Sequence, residues 1–404
     1  MNIVQLNATY KVGSTGKIMS DLNDVIASTG NNGFMVSGYY HKGSIDNLHC
    51  TSHKNIFWEI RKNILISRIT GTMGYRYLDR TRSAIHWIDK RNPDVIHLHN
   101  IHGDWIHLET LFNYIKMKKL PVVWTLHDCW AFTGRCSHFE LCGCDKWKSL
   151  CHNCTNTKVY PITYFFDKSK KMFLDKKKWF SGIENMTIVT PSKWLADYVK
   201  QSFLGDYSIE VIHNGIDINM FSPSKNRSKY YDSIGNKKII LGVASSWSQT
   251  KGFFDFLKLD NMIDHNQYQI VMVGLNERQL RSLPKSIIGI SRTNNQSELV
   301  ELYSGAFVFV NPTYQDNFPT TNLEALSCGI PVITYNTGGC PEAVTRQVGI
   351  VVKKGDVEGI LKALNTVENI KKESCRLFAQ EHFNKFESYQ EYINLYNRLP
   401  IKKI

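Results

Sequence analysis

No stretch of the chain reaches the roughly 18 consecutive apolar residues that a membrane-spanning helix requires. Its first residues, MNIVQLNATY, lack the charged segment and long apolar run of a secretory leader. These absences lead to the expectation of a cytosolic protein, either free or held at the inner face of a membrane. Internal repeats and low-complexity segments are missing as well. A nucleotide-hydrolysing phosphate loop is missing too, although YKVGSTGKIMSDL (residues 10–22) invites the comparison. Such a loop needs four residues between its glycines and a hydroxyl after the lysine to hold Mg²⁺. Here two residues separate Gly13 from Gly16, and Ile18 follows Lys17. What survives is a glycine-rich strand-to-helix turn whose N–H groups and helix dipole suit an anion, with Lys17 beside it. A tight turn that needs glycine for its backbone angles would have the same letters.

The chain does have length, two cores' worth of apolar residues and an excess of positive charge. At 404 residues it exceeds one ordinary core and suits two domains, and 42% hydrophobic residues can fill both. The net charge of +13 calls for an acidic partner. The densest basic stretch, DKSKKMFLDKKKWF (167–180), sets Met172, Phe173, Trp179 and Phe180 among six lysines. That composition suits a helix lying on an anionic bilayer, and also an ordinary surface helix with one buried face. Nucleic acid is not expected as a partner, because no recognition motif accompanies the charge.

Short apolar runs alternate with helix-length segments: VIHLH (95–99), PVVWTLH (121–127), MTIVTP (186–191), IEVIHNG (209–215), KIILGVAS (238–245), YQIVMVG (268–274), AFVFVNP (306–312) and IPVITYN (330–336). Near-continuous apolar strands separated by helices indicate parallel sheets covered on both faces, hence two doubly wound α/β domains. Turn signals and a polar stretch interrupt the pattern after VIHNGIDINMFSP. Ligands of such sheets bind beyond the carboxyl ends of the strands. The informative residues do follow the strands. Lys251 and Gly252 open a helix after IILGVAS, where an ammonium and backbone N–H groups suit a diphosphate. After AFVFVNP, Asp316 and Glu324 stand eight residues apart, and each is a two-oxygen acceptor for vicinal hydroxyls. Taken singly, a turn aspartate and a first-turn helix acid explain them equally well.

Taken together, these segments resemble the retaining glycosyltransferases of family 4, which have the GT-B fold. The likeness is carried by Asp316, Glu324, Ala325, Gly329, Pro331, Val332, Gly338, Gly339, Pro341 and Glu342, by VIHNGIDINMF, and by the histidine strands PDVIHLHN and TLHDCW. It implies two Rossmann-like domains facing across a cleft: an acceptor-side domain over 1–207, a donor-binding domain over 208–385, and a terminal helix over 386–404 returning to the first. The resemblance also implies roles. Lys251 would neutralise the departing diphosphate, Asp316 would contact the transferred sugar, Glu324 would hold the ribose, and His127 would line the sugar. The donor would also meet Gly13, Gly16, Lys17, Ser246 and the N–H groups of Asn317 and Phe318. Where the family has arginine five residues before Lys251 this chain has Ser246, so Lys17 or Arg135 would supply positive charge. The expected partners are a nucleotide-diphosphate sugar, a saccharide acceptor carried on a lipid, and an anionic membrane surface, in surface-polysaccharide assembly.

Catalysis of this kind requires no metal, because cationic side chains and helix amino ends can stabilise the leaving diphosphate. Six of the ten cysteines nevertheless crowd into Cys129–Cys154. In a cytosolic chain such crowding favours metal over disulfides, and Cys136, Cys144, Cys151 and Cys154 are the expected ligands of one structural Zn²⁺. Cys142, His138 and His152 are alternates. Two other functions fit parts of the sequence: a GT-B sugar-nucleotide epimerase, which needs no acceptor, and a basic zinc-dependent RNA-binding protein.

Overall fold

A computed structural model describes residues 1–39, 45–52 and 57–400. It divides into two compact units, one of Met1–Ile212 together with the chain from Tyr389 onward, the other of His213–Ser388. The first contains β1 (Asn2–Asn7), β2 (Asn32–Ser37), β3 (Leu48–Cys50), β4 (Val95–Leu98), β5 (Val122–Thr125), β6 (Met186–Thr190) and β7 (Ser208–Val211). The second contains β8 (Lys238–Val243), β9 (Tyr268–Val273), β10 (Ile287–Ile290), β11 (Val308–Asn311), β12 (Val332–Tyr335) and β13 (Gly349–Val352).

The sheet orders are β3-β2-β1-β4-β5-β6-β7 and β10-β9-β8-β11-β12-β13, and every neighbouring pair is parallel. Each order reverses once, between β1 and β4 and between β8 and β11. At such a switch point the loops leaving the two strands diverge and open a crevice for a ligand. Strands β4, β5, β6 and β12 are buried along their whole length. Helices cover both of their faces, which is why they read as near-continuous apolar runs.

The expected division at 207/208 falls just before β7, yet β7 pairs with β6 from Thr187↔Ser208 to Thr190↔Val211. The first unit therefore extends to Ile212. The carboxyl-terminal chain forms two helices, Lys372–Phe383 and Lys385–Arg398, the second lying over most of the expected 386–404. Asn384 interrupts them because the chain there pairs with Ile216: Ile216 N–H donates to Phe383 O at 2.7 Å and Lys385 N–H to Ile216 O at 2.9 Å. A Cβ at Gly215 would overlap the backbone of Lys385, so this crossing requires glycine. Further along, Tyr389, Tyr392, Ile393 and Tyr396 join a core with Ile3, Leu22, Val95 and Val189 of the first unit. Burying each such side chain contributes about 1.5–3 kcal/mol. The expected terminal helix also included 401–404, which lie outside the described residues.

Candidate active site

In the second unit, the loops leaving β8 and β11 meet. Ser248 accepts a hydrogen bond from Lys251 N at 3.3 Å and starts the short turn Gln249–Lys251. The left-handed Gly252 (φ +76°) ends it, where a Cβ would overlap Pro312 O. Glycine thus lets the turn lie against the exit of β11, and Tyr314 N–H to Thr250 O (2.8 Å) pins it there. Lys251 Nζ reaches Asp316 Oδ2 at 2.6 Å. Burial works to lower the Lys251 pKa, but the charge and hydrogen bond of Asp316 outweigh it and hold the value above that of an ordinary lysine. Behind Asp316 sits Gly338 (φ +56°), where a Cβ would overlap the Asp316 carbonyl. Asn317 and Phe318 are buried. The Phe318 ring stacks on His213 at 4.7 Å, and its carbonyl accepts from Asn214 Nδ2 at 3.3 Å. Glu324, half-buried on helix Thr320–Ser327, accepts from the hydroxyl of buried Tyr303 at 3.0 Å. Ser246 is exposed in the turn after β8. A cation, a carboxylate pair partner and a second carboxylate are therefore gathered at one switch point, an arrangement suited to a ligand with both phosphate charge and hydroxyl groups.

In the first unit, Gly13 (φ +68°) opens helix Gly13–Ser28 after β1, and a Cβ there would meet nothing within 4 Å. Gly16 is different. A Cβ on it would press on Thr9 and Lys11, whose N–H donates to Gly16 O at 3.1 Å. Its glycine is required by the packing of the turn itself. Lys17 is half-buried one residue on.

Across the switch point, β4 and β5 lead into three histidines that the sequence named only in part. Alternation along β4 places His97 and His99 on one face, with rings stacked 4.1 Å apart. His99 Nδ1 lies 3.1 Å from His127 Nε2, and its Nε2 lies 3.1 Å from Gln5 Oε1. Burial lowers the pKa of His97 to about 3 and of His127 to about 4, and pushes His99 well below the ordinary imidazole value. Beside them, His102 Nε2 donates to Asp128 Oδ2 at 3.0 Å, and Asp128 Oδ1 accepts from Trp130 N at 2.8 Å. The clue to this network is the spacing HxH, which puts two imidazoles on one strand face. Gln5, one of the polar residues in NIVQLN, gives no such clue.

Two expected sources of positive charge are turned elsewhere. Arg135 is buried in the cysteine loop, donates to Pro161 O and lines the cavity of that loop. Lys176 is fully buried, donating to Trp130 O with its ammonium 3.9 Å from the Trp130 ring centre. It is therefore not part of a membrane-facing surface. Burial brings its pKa down to about 7. Cys136, Cys142, Cys144, Cys151 and Cys154 line one cavity of about 230 Å³ with Arg135 and His152. Gly134 N–H donates to Cys151 Sγ at 3.1 Å, and the thiol of Cys136 hydrogen-bonds to Cys154. Among the described residues, however, no three His, Cys, Asp or Glu are drawn together as metal ligands. The expected zinc set shares a cavity without converging.

Residues 226–383 match the family of glycosyl transferases group 1, and residues 59–220 match glycosyltransferase family 4. The chain is 24% identical over 431 residues to a putative colanic acid biosynthesis glycosyl transferase, WcaC, of Escherichia coli strain K12, covering 99% of this chain and all of that protein. It is 23% identical over 227 residues to an Escherichia coli UDP-Gal:alpha-D-GlcNAc-diphosphoundecaprenol alpha-1,3-galactosyltransferase, covering 51% of this chain and 58% of that one. In fold it resembles the sucrose-phosphate synthase of Thermosynechococcus elongatus, with a TM-score of 0.70, 15% identity and 98% of each chain covered.

Proposed function

The chain belongs to the family 4 glycosyltransferases, and we propose that it moves a sugar, with retention, from a nucleotide-diphosphate donor to a saccharide carried on a lipid during surface-polysaccharide assembly. The observation that carries this reading is the Lys251–Asp316 pair at the switch point of the second sheet. Breaking the bond from anomeric carbon to phosphate oxygen builds negative charge on the diphosphate. A lysine already held in place by a carboxylate and two glycine-dependent turns is preorganised to receive that charge. Asp316 then contacts the transferred sugar, Glu324 the ribose, and the N–H groups of Asn317 and Phe318 the sugar or its phosphate. In the first unit, His127 meets a sugar hydroxyl, and the turn containing Gly13 and Lys17 meets substrate phosphate. The lipid-carried acceptor is supported by the name of the galactosyltransferase relative. The relatives named above are transferases, and the epimerase reading draws no support from them. A panel of nucleotide sugars screened for protection against thermal unfolding tests the reading. At least one should protect the wild type and lose that effect in Glu324→Gln. Protection by none would overturn it.

We also propose that the first unit rests on an anionic membrane. None of the described helices is long and apolar enough to cross one. Tyr164, Phe165 and Phe166 are exposed in a row, followed by exposed Lys168, Lys170, Lys177 and Lys178. Tyr164 joins helix Phe57–Thr70 through its N–H to Arg68 O at 2.7 Å, and that helix exposes Trp58 and Leu65 beside Arg61 and Lys62. Aromatic and aliphatic groups interleaved with lysine and arginine are what an anionic interface binds.

For the cysteine loop we propose a structural zinc held by Cys136, Cys144, Cys151 and Cys154. Residues 133–168 contain no α-helix or strand, and a loop of that length needs a staple. The hydrogen bond from Cys136 holds the pKa of the Cys154 thiol down to about 6, toward the thiolate a metal needs, while that bond and burial push Cys136 up and burial raises Cys151 to about 11, so metal binding would displace protons from those two. Zinc would tie the loop and take no part in the transfer. Elemental analysis of protein purified without added metal should find about one zinc per chain; none, with all native thiols open to alkylation, would remove the proposal.

A further inference from the structure

We propose that Gln5, acting through His99, is a positioning residue that holds His127 as its Nε2–H tautomer, so that His127 Nδ1 carries a lone pair and can act only as an acceptor, toward a sugar hydroxyl in the reading above. The identity of the substrate rests on the transferase reading above. The tautomer does not.

The direction of the chain of hydrogen bonds follows from its buried end. Gln5 lies on β1 and is fully buried. Its amide nitrogen faces two acceptors, Met19 O at 3.2 Å and Asn23 Oδ1 at 3.4 Å. Turning the amide over would set oxygen against oxygen, so Oε1 is the atom that faces His99 Nε2. An amide oxygen can only accept, and His99 Nε2 must therefore carry hydrogen. Burial keeps His99 neutral, which leaves its Nδ1 with a lone pair. Two lone pairs cannot face each other at 3.1 Å, so His127 donates from Nε2. His127 is also neutral, again mainly through burial. With its one hydrogen committed to His99, its Nδ1 is an acceptor. The stacked ring of His97 holds the His99 ring against rotation, and the bond from Trp124 Nε1 to His99 O at 3.1 Å fixes its backbone.

This excludes two roles for His127 at neutral pH. It cannot be a cation that binds phosphate, and it cannot donate a proton from Nδ1. A phosphate oxygen, which only accepts, is refused there, whereas a hydroxyl is received.

Long-range ¹⁵N–¹H correlation spectra of the histidine side chains, recorded at pH 7 on the full chain without ligand, read the tautomer directly. Wild-type protein should show His127 with hydrogen on Nε2 and a lone pair on Nδ1. Gln5→Met keeps the side-chain length and removes both amide groups. It should release His99, turn His127 into a mixture of tautomers, and lower kcat/KM about 10-fold, the scale of one neutral hydrogen bond. Gln5→Glu, whose buried acid form can accept from His99 and donate to Met19 O, should restore the wild-type spectrum. Hydrogen on Nδ1 of wild-type His127 overturns the proposal whatever the activity, and so does an unchanged His127 spectrum in folded Gln5→Met. If Gln5→Met does not fold, the wild-type spectrum still decides. The expected spectra in a protein that transfers no sugar would support the relay and count against the proposed substrate alone.

Discussion

At the scale of single residues, the roles proposed for the second unit separate contacts made throughout the reaction from contacts that grow as charge develops. Lys251 faces the proposed leaving diphosphate, so Lys251→Ala should lower kcat more than it raises donor KM, by about 100-fold to 1,000-fold. Glu324→Gln should chiefly raise KM, because a ribose contact is equally strong before and during bond breaking. Asp316→Asn should fall between them and shift preference among donor sugars. Wild-type turnover by folded Lys251→Ala would remove the donor site from this unit. The glycines behind these side chains matter as much as the side chains. Gly338→Ala combines a positive φ with overlap onto Asp316 O, which should cost about 1–3 kcal/mol of stability and weaken donor binding with it. Equilibrium unfolding and donor titration check both parts. The place of Lys251, Asp316 and Glu324 beyond the ends of β8 and β11 was legible in the sequence because they occur in a spaced pattern after apolar strands. That Lys251 and Asp316 form an ion pair was not, because two loops 65 residues apart meet only once the sheet order is known.

At the scale of elements, legibility follows burial. Strands β4, β5, β6 and β12 announce themselves because both faces are covered and most positions are apolar or β-branched. β3, β10 and β13 did not, since each is a short edge strand, half-exposed or interrupted by glycine. Helix Ser169–Phe180 shows the reverse error, in which composition hides geometry. Lys176 lies four residues after Met172 and three before Trp179, so helical spacing puts it on the buried face despite its charge. Two groups of lysines on the same helix should therefore behave differently. Replacing Lys170, Lys177 and Lys178 with Gln, together with Phe165→Ser and Phe166→Ser, should weaken binding to vesicles containing anionic lipid, with the lysine share lost at high salt. Lys176→Ala should leave vesicle binding unchanged. It should instead destabilise the first unit by about 1–3 kcal/mol, because the Trp130 carbonyl loses its donor and the ring loses its cover. Vesicle co-sedimentation and urea unfolding measure the two effects. Equal vesicle binding by the multiple variant and the wild type would end the membrane proposal.

At the scale of the whole molecule, the two units are built on the same sheet order but differ in how they treat ionisable groups, and acid should tell them apart. The first unit holds the buried His97 and His99 and the half-buried His127 as neutral rings, with pKa values lowered to about 3 for His97 and about 4 for His127. The unfolded chain binds protons at these sites below about pH 6.5, whereas the folded chain does not. Folding stability therefore decreases as pH falls through that value, down to the folded pKa values. Between pH 7 and pH 5 His97 and His127 should each remove roughly 2 kcal/mol, and His99 acts in the same direction. Asp104 opposes this. Burial raises its pKa to about 6 despite Arg76 and the Gly74 N–H, so protonating it as pH falls favours the folded state, by roughly 1 kcal/mol over the same interval. Three histidines outweigh one aspartate, and the first unit should lose several kcal/mol. His97→Gln, which cannot titrate, should flatten the slope by about one proton. The readout is urea unfolding at pH 7 and pH 5, followed by Trp124 and Trp130 fluorescence in the first unit and Trp247 fluorescence in the second, each tryptophan being buried in its own core. A first-unit midpoint that does not move between the two pH values would mean that the histidines are not held neutral, and would remove the electrostatic basis for assigning His127 its tautomer.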